Sequence, residues 1–107
     1  MTDGGPLLKE LIIGERHDDD VTIDETADRF LVQDTAHAMG VKLAIKRNDG
    51  RGGWYLAKFT DEELHALILD HVKRENWLDV VNLAAMASCR RKYGTLSWQD
   101  VESLCDD

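Results

Sequence analysis

The chain has 107 residues, 43% of them apolar, and a formal net charge of −8 at pH 7. That length supports one hydrophobic core rather than two, and the acidic balance argues against direct nucleic-acid binding, which normally rests on a basic patch that displaces counterions from phosphates. Two cysteines without metal-type spacing, no apolar run of about 18 residues, and no basic segment leading into an apolar one at the N-terminus point to a cytoplasmic protein that neither spans a membrane nor is secreted.

Residues 1–21 are expected to form an acidic, partly irregular arm ahead of a single helical domain over residues 22–107. Within the arm, Pro6 can open a short helix whose Leu7, Leu8, Leu11 and Ile12 follow helical spacing, with Gly14 as its end. The run Asp18, Asp19, Asp20 beside His17 reads as a solvated linker, because consecutive side chains point in different directions and do not converge on a metal.

Thr22 and Glu25 have capping-box spacing and announce a long helix over residues 23–45. Ala27, Phe30, Leu31, Ala38, Val41 and Ile45 fall towards one side of it, and Gly40 is a point at which it can kink. The alternation in VKLAIKR around Val41 is the main competing strand signal.

Arg47 to Phe59 is a turn-rich connection in which Asn-Asp-Gly and Gly-Gly give access to positive φ, and Trp54 and Tyr55 supply apolar anchors. Glycines beside Arg47 and Arg51 can meet a phosphate. No Gly-Lys-Ser/Thr follows, so the stretch is not a P-loop, and a plain helix connection is the simpler reading.

Thr60 and Glu63 mark a second capping box and a helix over residues 60–74. Leu64, Leu67, Ile68, His71 and Val72 share its apolar face, and Asp70 with Arg74 forms an i,i+4 ion pair. The next helix, over residues 77–92, has Asn76 as its expected N-cap, basic Arg90, Arg91 and Lys92 in its last turn, and Gly94 as its C-terminal stop. Its apolar surface is broader than a surface helix needs, so Trp77, Val81 and Ala84 are expected to form an interface in a homodimer or higher homo-oligomer. The remaining stripe holds Asp79, Asn82 and Met86, and polar groups on a helix that is otherwise buried require partners. Ser97 and Asp100 then cap a short final helix. The expected fold is all-α: three main helices plus a short C-terminal one, completed by oligomerisation.

The order KLAIKRNDGRGGW, TDEELHALILDHVKRENW and LDVVNLAAM resembles the small, phage-type MazG-like nucleotide pyrophosphohydrolases over roughly residues 40–93. The strongest local match is Asp79-Val80-Val81-Asn82 followed by Leu83-Ala84-Ala85-Met86. The resemblance implies a helical oligomer, phage-encoded and working in the host cytoplasm, in which four carboxylates hold Mg²⁺ and a water attacks between the α and β phosphates of a nucleoside triphosphate. Carried onto this chain, it implies Asp70, Glu75 and Asp79 as metal ligands, Asn82 as a nucleotide-orienting residue, and Arg47 or Arg51 at the phosphates. The chain departs from the pattern at Asn76 and Lys73, where the paired carboxylates would fall, and Glu75 is displaced by one position. The competing expectation is a catalytically inactive acidic interaction module that binds or inhibits a host protein.

Overall fold

The computed structural model describes residues 7–13 and 22–105. Among the described residues five helices follow one another: α1 Leu8–Ile13, α2 Ile23–Asn48, α3 Asp61–Lys73, α4 Trp77–Tyr93 and α5 Trp98–Cys105. The all-α expectation holds, and VKLAIKR lies inside α2 rather than in a strand. Pro6 as helix opener, the expected stop at Gly14 and the expected solvated linker at residues 17–20 lie outside the described residues.

Two compact units divide between Ala38 and Met39, inside α2. In the first, the Thr22 capping box is formed: the Glu25 N–H donates to Thr22 Oγ1 at 3.0 Å while Glu25 Oε1 accepts from the Thr22 N–H at 3.0 Å. α2 passes through Gly40 without interruption.

The second unit is held together by α3 against α4. Its loops are shaped by two Schellman turns. At the end of α2, Gly50 takes φ 77°, its N–H donates to the Arg47 carbonyl, and the Arg51 N–H donates to the Lys46 carbonyl at 2.8 Å. At the end of α3 the same pattern recurs with Glu75 in the left-handed position at φ 58°: the Glu75 N–H reaches the Val72 carbonyl and the Asn76 N–H the His71 carbonyl. The short connection Arg74–Asn76 folds α4 back alongside α3.

Both remaining capping boxes form, at Thr60–Glu63 and Ser97–Asp100. Asn76, expected to cap α4, makes no side-chain capping bond. Its amide Nδ2 instead lies 3.2 Å from His71 Nδ1, a partner the Schellman turn brings alongside. Gly94 ends α4 as expected, at φ 83° with its N–H on the Arg90 carbonyl.

The loop between α2 and α3 is fastened to two elements. A parallel bridge pairs Leu56 with Leu96, the Ala57 N–H donating to the Leu96 carbonyl and the Leu96 N–H to the Tyr55 carbonyl. Arg90, projecting from α4, takes up the loop's carbonyls: Nη1 donates to Trp54 O at 2.7 Å and Leu56 O at 3.3 Å, and Nη2 to Phe59 O at 2.7 Å. Asp61 at the start of α3 accepts from Arg90 Nε at 3.1 Å. The apolar core is small: among the described residues only Leu56 and Leu64 are buried hydrophobics.

Candidate functional site

The loop fastened by Arg90 forms one wall of a cavity of about 660 Å³ in the second unit. Lys46 from the end of α2, Arg51, Lys58, His71 and Arg74 bring basic groups to it; Trp54, Phe59, Leu67, Leu83 and Met86 supply apolar surface. Among the described residues, no carboxylate lines it. This volume falls within the usual range of small-molecule sites, and an apolar lining with a few convergent polar groups is their usual make-up.

The backbone explains the placement. The Schellman turn at Gly50 draws Arg51 back onto Lys46, so two cations separated by five positions share one rim. Gly53 then turns the chain at φ 88°, with Leu56 Cδ1 only 3.3 Å from where a Cβ would stand. A side chain there would be both strained and crowded.

Behind the cavity lies a polar cluster centred on Asp79. Lys46 Nζ stands 3.1 Å from Asp79 Oδ1, Lys42 Nζ 3.6 Å and His71 Nδ1 3.7 Å from Oδ2. Oδ1 accepts no well-directed hydrogen bond; what it meets is the Lys46 charge. Burial pushes the Asp79 carboxyl up, but contact with Lys46 and the charges of Lys46, Lys42 and His71 outweigh it, so the group titrates below its ordinary value.

The residues expected to act together are distributed as follows. Asp79 and Asn82 are buried on α4, one turn apart. Both side-chain polar atoms of Asn82 lack a hydrogen-bond partner among the described residues. Asp70 is exposed and paired with Arg74, and Glu75 is exposed in the left-handed turn position. The three proposed metal ligands are therefore not gathered, and among the described residues no group of three or more His, Cys, Asp or Glu side chains could hold a metal ion. Arg51 lines the cavity; Arg47 is exposed and does not line it, nor does Asn82. Trp77, Val81 and Ala84 are all exposed along one side of α4.

The basic groups Lys42, Lys46, Lys58 and Arg74 and the clamp Arg90 were not singled out as site residues from sequence. A usable signal existed for three of them: Lys42 and Lys46 are one turn apart, and a buried Asp79 demands cations. Arg90 lies eleven positions after Asp79, three turns along the same helix face, where an interior partner can be anticipated.

No protein-family model, curated protein or solved structure matches this chain. No described helix is long and apolar enough to cross a membrane.

Proposed function

We propose that the protein binds a phosphorylated, partly aromatic small molecule of the nucleotide class in the cavity walled by the Arg51–Phe59 loop. The observation that carries this reading is the lining itself: Lys46, Arg51, Lys58 and Arg74 beside Trp54 and Phe59, with no carboxylate among them. Arginine forks and lysine ammoniums meet phosphate oxygens through charge-assisted hydrogen bonds, and the indole and phenyl faces take a flat ring. This is the binding half of what the MazG-like resemblance implies. Hydrolysis would require Asp70, Glu75 and Asp79 to rearrange to meet one Mg²⁺.

Calorimetric titration with ATP tests the reading. Saturable binding is expected, weakened roughly tenfold by Lys46→Ala and by Arg74→Ala in line with the loss of one charge-assisted contact each. Heats indistinguishable from dilution at millimolar ATP would overturn it.

A second reading concerns assembly. Trp77 is 57% exposed and Val81 38%, on the side of α4 that also carries Ala84. We propose that a second copy of the chain covers this ridge, small Ala84 letting the two helices approach, with a host protein as the competing occupant. Sedimentation at micromolar concentration is expected to give a dimer that Val81→Asp dissociates; a wild-type monomer would overturn it.

A further inference from the structure

We propose that the cavity takes its phosphorylated ligand as the free anion, so that Mg²⁺ weakens binding instead of supporting it. This rests on the ligand class proposed above and adds how that ligand's charge is met.

A site that takes a magnesium–phosphate complex needs oxygen ligands from the protein, usually one or two carboxylates facing the phosphates. Among the described residues, the cavity has none in its lining. The nearest buried carboxylate, Asp79, is already shared by Lys46 at 3.1 Å and Lys42 at 3.6 Å, with His71 at 3.7 Å. Two ammoniums on one carboxylate leave surplus positive charge, and a divalent cation brought among them meets repulsion from both lysines.

The same arrangement suits a bare polyphosphate. Lys58 meets only the Trp98 ring, 5.7 Å away, among the described interactions. Arg51 and Arg74 are paired with Asp49 and Asp70, but those pairs are more than half exposed on both sides. Exposed pairs of this kind hold weakly, so a multiply charged phosphate can take over the guanidiniums. Chelation by Mg²⁺ removes two of the ligand's negative charges before it reaches the site and offers nothing there for the metal to bind.

The test is ATP titrated calorimetrically into the full chain in EDTA and again in saturating Mg²⁺ at matched ionic strength. The expected result is binding about tenfold tighter in EDTA, the direction and size set by two charges removed near partly screened cations. Equal or tighter binding in Mg²⁺ would overturn this inference while leaving the nucleotide reading in place. No binding in either condition would overturn both.

Discussion

Lys46 joins the two halves of the site: its ammonium lies 3.1 Å from Asp79 Oδ1 while its side chain also lines the cavity. The lysine is thus held from behind by a carboxylate and offered in front to an anion. Removing Asp79 leaves two partly buried lysines facing each other. Asp79→Ala is expected to lower stability by about 2 kcal/mol, between the values for exposed and fully buried pairs. Urea denaturation followed by circular dichroism measures it, and a change of a few tenths would mean the ammoniums relax into solvent.

The same carboxylate gives the fold a pH dependence. Its folded-state pKa lies below the ordinary 3.8, so the unfolded chain binds the proton more readily. The stability Asp79 contributes is present above its ordinary pKa and is lost as pH falls through the folded value. Glu25 and Asp100, held down by backbone and hydroxyl bonds from Thr22 and Ser97 at their helix caps, act in the same direction. Thermal melts from neutral pH to below about pH 4 should show falling stability, with a shallower fall in Asp79→Asn.

Arg90 serves three loop carbonyls and Asp61 with one guanidinium. Arg90→Ala strands those carbonyls and is expected to cost about 3 kcal/mol. Arg90→Lys recovers only part of this, since an ammonium lacks the planar fork. Chemical denaturation of both variants checks the order; equal losses would mean the fork geometry is immaterial.

Three backbone substitutions separate structural roles from ligand roles. Gly53→Ala is expected to cost about 1–2 kcal/mol because of its positive φ, whereas Gly52→Ala, with open space and ordinary φ, should be near neutral. Glu75 occupies the left-handed position of a Schellman turn at φ 58°. Glu75→Gly should therefore stabilise by up to about 1 kcal/mol. Were Glu75 a metal ligand, the same change would abolish any Mg²⁺-dependent rise in melting temperature.

The helices were legible because local rules fix them. Thr22–Glu25, Thr60–Glu63 and Ser97–Asp100 each announce a start, and Gly94 announces an end. Asn76 misled because a capping residue's side chain can be claimed by a tertiary neighbour, here His71. The burial of Asp79 and Asn82 followed from their place on an apolar helix. Their surroundings did not: Lys42 and Lys46 come from α2, more than thirty positions before Asp79, and periodicity within α4 carries no information about which element lies opposite. Arg90 was read as a favourable last-turn charge, a local role that its loop contacts outweigh.

The proposed nucleotide site is the cavity beneath the Arg51–Phe59 loop. The most direct measurement is a ¹H–¹⁵N correlation spectrum during ATP titration. Saturable shifts are predicted for Arg51, Gly53, Trp54 including its indole N–H, Phe59, Leu83 and Met86, with the exposed ridge at Val81 unmoved. An unchanged spectrum, or shifts confined to residues away from the cavity lining, would contradict it.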